Sequence, residues 1–135
     1  GSEMCIRDRI VGDVENHDSG DEAYTATKNF ITANPDLKGL LVTAGGPHGA
    51  AKAIDELGLS DQISLVCFDT TDEIVSYMKD GVIKASIGQD PYGQGADPII
   101  LAYNHIVTGK PEVTGDAFTK MDVYTPDNIS EYFPD

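Results

Sequence analysis

Apolar residues along this chain fall into two alternating kinds of segment. Short runs lie at Gly39 to Thr43, Ile63 to Phe68 and Ile83 to Gly88, and between them apolar residues recur at three- and four-residue spacing. The first run is continuously apolar, which suits a strand covered on both faces of a sheet. Further strands are predicted at Ile10 to Glu15 and, near the end, at Lys120 to Tyr124. A first helix is predicted after Asp18, Ser19 or Asp21, any of which can cap it. Its apolar positions are Ala23, Ala26, Phe30 and Ile31, and Asn34-Pro35 ends it. A second helix runs from His48 to Leu57 and stops at Gly58; a third covers Asp72 to Lys79, with Gly81 beyond it. The longest spans Gly93 to Val107, followed by Gly109 and Pro111. Strand and helix in strict alternation predict the α/β class, a three-layer parallel sheet flanked by helices.

The first nine residues stand outside this pattern. Gly1 to Arg9 (GSEMCIRDR) resembles the translation of a sequencing adapter, so it is expected to be a non-native tail; it lacks the apolar core of a signal peptide. The rest of the chain, about 126 residues, is enough for one domain with one core. No internal repeat or second domain boundary is visible.

Charge removes whole classes of function. Asp and Glu outnumber Lys and Arg 23 to 9, for a formal net charge of −14. Nucleic-acid binding needs a basic footprint to displace phosphate counterions, so this piece is expected to bind none. No apolar run reaches the length of a membrane span. Cys67, inside Leu65-Val66-Cys67-Phe68, is expected to be a buried, inert thiol.

In open α/β sheets, ligands sit beyond the carboxyl ends of the strands. That rule selects four loops: Asn16-His17-Asp18-Ser19, Ala44-Gly45-Gly46-Pro47-His48, Asp69-Thr70-Thr71 and Gln89-Asp90-Pro91. All are rich in hydrogen-bonding groups. The glycine loop is no phosphate loop: Lys52 comes three residues after Gly49, and no Ser or Thr follows it. Asp69 lacks the second acid two positions on that an aspartyl phosphatase needs, since Thr71 stands there. His17, His48 and His105 are too scattered for a metal signature, and the pattern Asn16-x-Asp18-x-Gly20 is a weak calcium echo that a helix cap explains as well. No catalytic constellation stands out; the sequence calls for no cofactor and no metal.

Four stretches between Asn34 and Gly95 resemble one family. They are Asn34-Pro35-Asp36-Leu37-Lys38-Gly39, the small-residue helix Gly49-Ala50-Ala51-Lys52-Ala53-Ile54 ending at Gly58, Val66-Cys67-Phe68-Asp69, and Asp80-Gly81 with Ala85-Ser86-Ile87-Gly88-Gln89-Asp90-Pro91-Tyr92-Gly93-Gln94-Gly95. The last is long and specific. Together they resemble the type I periplasmic binding proteins of the ribose and galactose kind, and their relatives the LacI-like repressors. The resemblance implies that Asp69 and Gln89 hydrogen-bond sugar hydroxyls. A carboxylate accepts from two hydroxyls, and an amide both donates and accepts. The plainer readings are a helix cap for Asp69 and a hinge residue for Gln89. Where the family often has Asn-Asp, this chain has Gly45-Gly46-Pro47. The departure shifts that role to backbone at Gly46 or to His48, with Asn16 or His17 supplying the remaining edge.

The resemblance further implies one lobe of a two-lobed fold that closes on its ligand about three crossing segments. Residues 10–135 would be the C-terminal lobe, with Gln89-Asp90-Pro91 on the third crossing and residues 91–135 partly belonging to the other lobe and the hinge. Two functions are expected on this basis. One is a non-enzymatic, periplasmic or extracytoplasmic substrate-binding component that delivers a sugar-like solute to an ABC transporter permease, a lipoprotein in a Gram-positive host. The other is the effector domain of a cytoplasmic LacI-type repressor. The helix at 93–107, deprived of a partner lobe, is expected either to fold back on its own sheet or to drive homo-oligomers.

Overall fold

The computed structural model describes residues 10–110 and 113–134. The adapter-like stretch 1–9 lies outside the described residues.

One open sheet organises the chain. It consists of β1 (Gly39–Val42), β2 (Ser64–Phe68), β3 (Ile83–Gly88) and β4 (Asp122–Tyr124), in that spatial order. β1, β2 and β3 are parallel, with Leu40 opposite Leu65 and Cys67 opposite Ser86. β4 joins the edge antiparallel, placing Asp122 opposite Gly88 and Tyr124 opposite Ser86. The helices are α1 (Gly20–Ala33), α2 (Pro47–Glu56), α3 (Asp72–Lys79), α4 (Pro91–Thr108) and the short α5 (Ile129–Tyr132). The chain thus adopts the expected α/β architecture, an open sheet flanked by helices.

The core forms where one sheet face meets α2 and α3. Leu65, Cys67 and Ile83 from the strands bury against Ala50, Ala51 and Ile54 of α2, Ile74, Val75 and Met78 of α3, and Ile129 of α5. Burying each large aliphatic side chain contributes about 1.5–3 kcal/mol, so this face holds the sheet together. Cys67 is a free, buried thiol, and burial raises its pKa.

The expected strand at Ile10 to Glu15 is not formed. The segment is irregular, with Ile10 89% and Val14 58% exposed. A strand is stable only when a neighbour takes up its backbone donors and acceptors, and this segment pairs with no strand of the described sheet. Helix α4 departs from the core altogether. Its one buried residue is Gly93, while Ile99, Ile100, Tyr103, Ile106 and Val107 are each more than half exposed. It does not fold back onto the sheet. No helix among the described residues is long and apolar enough to cross a membrane.

Candidate ligand-binding site

All three parallel strands end on the same edge of the sheet, and each runs into the N-terminus of a helix there. Four described non-glycine residues have positive φ: His17 (48°), Asp18 (57°), Asp69 (72°) and Asp90 (47°). All four lie in the loops at this edge. A left-handed backbone at such residues costs on the order of 1 kcal/mol each and persists only where surrounding contacts fix it.

The contacts are explicit. Asn16, buried, donates its side-chain amide to the carbonyl of Gly45 at 2.7 Å, and the N–H of Gly45 donates to Asp18 Oδ1 at 2.6 Å. Both polar groups of Gly45 are therefore held by the 16–19 loop, and the carboxylate read as a calcium echo is already occupied. Ser19 supplies the cap of α1, accepting from the N–H of Glu22. Behind this clamp α1 and α2 touch backbone to backbone. A Cβ on Gly49 would collide with the carbonyl of Gly20, and one on Gly46 would meet Ser19 and the Gly20 nitrogen. Gly46 itself needs a left-handed φ of 85°.

Asp69 and Gln89 come together. Gln89 Nε2 donates to Asp69 Oδ1 at 3.0 Å across the ends of β3 and β2. The backbone of Asp69 is pinned from two sides: its N–H donates to Ile87 O at 3.0 Å, and Ser86 Oγ donates to its carbonyl at 2.5 Å. Its side chain does not cap α3. That role belongs to Thr71, whose hydroxyl accepts from the N–H of Ile74. The Asp69 carboxylate is exposed with one oxygen committed. Gln89 is half-buried, and Gln94 Nε2 holds its carbonyl at 2.7 Å. Asp90 caps α4 by accepting from the N–H of Gly93.

The remaining expected residues divide. His48 is exposed in the first turn of α2, its ring against Gly20. His17 is exposed on the loop and turned to Glu22, 2.8 Å away, and that hydrogen bond and charge raise its pKa. Asn16 faces the Gly45 carbonyl instead of the open edge. Beside Gln89 lies a cavity of about 320 Å³ whose wall includes Thr70, Asp90, Lys120, Asp122 and Tyr124. Loop reasoning missed its last three residues because they belong to β4 and its approach. Their signal was present: in Lys120-Met121-Asp122-Val123-Tyr124 the polar and aromatic residues alternate with Met and Val, which puts them on one side of an extended chain.

Residues 8–111 match the family described as the periplasmic binding protein domain. The chain belongs to this family. Among individual proteins it is 24% identical, over 117 residues, to the xylose/arabinose-binding protein XylF of Sulfolobus acidocaldarius. That match takes in 82% of this chain and 29% of the relative. The fold is similar to that of GanP, a glucose-galactose binding protein from Geobacillus stearothermophilus, with a TM-score of 0.80 and 26% identity, covering 89% of this chain and 42% of that one. It is also similar to a carbohydrate transporter solute binding protein from Agrobacterium radiobacter, solved in complex with D-arabinose, with a TM-score of 0.74 and 29% identity, covering 84% and 38% of the two chains. The chain spans less than half the length of each of these relatives.

Proposed function

We propose that this chain is the C-terminal, ligand-binding lobe of an extracytoplasmic substrate-binding protein that holds a sugar between two lobes and delivers it to an ABC importer. The observation that carries the reading is the Asp69–Gln89 pair. Its carboxylate stands at the end of a parallel strand, in a strained left-handed backbone, with no helix to cap. A turn that needs φ of 72° is served at lower cost by glycine. A residue kept there against that cost is explained by what its side chain binds. A carboxylate bridged to an amide offers acceptors and donors side by side, which is the pattern that adjacent sugar hydroxyls complement.

The relatives support the transport branch over the repressor branch, since each is named as a binding protein or a transporter component. The path of the chain supports the two-lobe reading. It leaves the sheet at Gln89, runs through α4 and returns at Asp122, next to its point of departure. In this reading α4 packs in the other lobe, and Gln89-Asp90-Pro91 and the return at Lys120 are two of the crossings between lobes. Residues 1–9 would be foreign to the natural protein. Asn16 would position the Gly45–Gly46 turn, leaving the exposed His17 and His48 and the backbone at Gly46 to meet the ligand's far edge.

Calorimetric titration of the full-length protein carrying these residues tests the reading. Sugar binding is expected, and Asp69→Ala should weaken it by about 1.5–3 kcal/mol, the range for hydrogen bonds to a charged group. Asp69→Gly should lose binding equally while leaving the folded protein as stable or more so. Equal affinity for wild type and both variants would reduce Asp69 to a turn residue.

A further inference from the structure

Resting on the reading of Asp69 as a sugar ligand, we propose that Ser86 is a positioning residue of the site: from inside the core, its hydroxyl sets the left-handed turn at Asp69 and with it the aim of the carboxylate. Ser86 lies on β3 directly opposite Cys67 of β2. Its side chain is completely shut off from solvent.

A hydroxyl in such a place is costly unless its hydrogen bonds are made, and the proton count fixes their direction. The Asp69 carbonyl can only accept, so the single Ser86 proton goes to it, at 2.5 Å. The Cys67 carbonyl, at 3.4 Å, is a distant second acceptor. The Cys67 thiol donates to Ser86 Oγ at 3.5 Å. Burial raises the pKa of that thiol, so it keeps the proton it donates. The result is a one-way chain from the core to the rim, from thiol to hydroxyl to the carbonyl of Asp69.

Asp69 has a φ of 72°, a region that a residue with a side chain leaves unless other contacts hold it. Two contacts with β3 do so. The Asp69 N–H donates to Ile87 O at 3.0 Å, one step past the end of β2, while the Asp69 carbonyl is taken by the side chain of Ser86. The first bond orients the peptide before the Asp69 Cα, and the second orients the peptide after it. Together they set φ and ψ, and hence the direction in which Cβ leaves the backbone. Without the Ser86 bond the second peptide is free to rotate, the turn relaxes, and the carboxylate swings away from Gln89 Nε2, which it now meets at 3.0 Å. A binding group has to be held within about 0.5 Å of its productive geometry by the residues behind it. Ser86 is such a residue for Asp69.

The test is a calorimetric titration of the full-length protein carrying these residues with D-xylose, L-arabinose, D-galactose and D-glucose, followed up with the sugar that wild type binds tightest. Ser86→Ala should weaken binding about ten-fold, the effect of one lost hydrogen bond. Ser86→Thr, which keeps the hydroxyl, should restore most of the affinity. In an Asp69→Ala background, Ser86→Ala should change affinity by no more than about two-fold, because the group it aims is gone. Ile83→Val, a truncation buried in the same strand, should lower the thermal midpoint and leave affinity as it was. Should Ser86→Ala fail to fold, Ser86→Cys, of similar size and a weaker donor, is expected to show the loss, and wild-type affinity in it overturns the proposal. Unaltered affinity in Ser86→Ala, or the same loss with and without the Asp69 carboxylate, would make Ser86 a core residue with no bearing on the site. Wild-type affinity in Asp69→Ala, or no binding to any of the four sugars, removes the underlying reading and this inference with it. A loss in Asp69→Ala without one in Ser86→Ala removes this inference alone.

Discussion

Asn16 donates to the carbonyl oxygen of Gly45 at 2.7 Å, joining two loops 29 residues apart in sequence. Together with the bond from the Gly45 N–H to Asp18, it fixes the glycine turn from both sides. Asn16→Ala should therefore leave a carbonyl without its partner at a largely buried site and cost about 1–3 kcal/mol. Urea denaturation checks this through a lowered midpoint at constant slope. An unchanged midpoint would mean that water replaces the amide at no cost.

Two glycines in helices should respond oppositely to the same substitution. Gly49→Ala puts a methyl group into the backbone of Gly20, so α1 and α2 must separate, at about 1–3 kcal/mol for overpacking. Gly95→Ala, in α4, meets nothing within 4 Å, and should stabilise by up to about 1 kcal/mol through helix propensity. Thermal midpoints of the two variants moving in the same direction would refute the contact assigned to Gly49.

His17 gives the chain a pH signature. Its hydrogen bond to Glu22 and the charges of Glu22 and Asp18 raise its pKa above the ordinary 6.5. A raised folded value means that the protonated form favours the fold. The contribution is complete below pH 6.5 and disappears as pH rises through the higher folded value. An NMR titration should show His17 protonating above 6.5, and Glu22→Gln should bring it back down. The stability difference between wild type and His17→Gln should shrink as pH rises across the same interval.

Helix α4 presents Ile99, Ile100, Tyr103, Ile106 and Val107 to solvent. An apolar surface of that extent rarely remains in water. The 135-residue chain on its own is expected to self-associate, and Ile100→Asp with Ile106→Asp to return it to monomer. Light scattering across a concentration series measures both. A monomeric wild-type chain would contradict the expectation.

The helices were legible in sequence because their caps and stops are chemical. Ser19, one of three candidates, is the side-chain cap of α1, Asn34 and Gly58 mark ends, and α3 and β3 fall where spacing put them, although the cap of α3 is Thr71 and not Asp69. The segment Ile10 to Glu15 misled because strand propensity is realised only against a partner strand. The short α5 escaped because one turn has no period, although its Ile129 is fully buried. For the site, motif resemblance brought Asp69 and Gln89 forward, and the structure places them 3.0 Å apart. The inward turn of Asn16 was not readable, because it depends on a left-handed backbone at His17 and Asp18 and on a contact with a distant glycine.

The antiparallel return of β4 has a further consequence. Asp122 sits opposite Gly88, and paired Cα atoms in such a ladder are about 5 Å apart. Everything from Gln89 to Met121 is therefore an insertion between two adjacent points of the sheet, and none of its described residues belongs to the main hydrophobic cluster. Replacing the whole excursion with a two-residue turn such as Asn-Gly would convert β3 and β4 into a hairpin. The core would keep its full complement of side chains, while the chain lost its exposed helix and the residues Gln89 and Lys120 at a single cut.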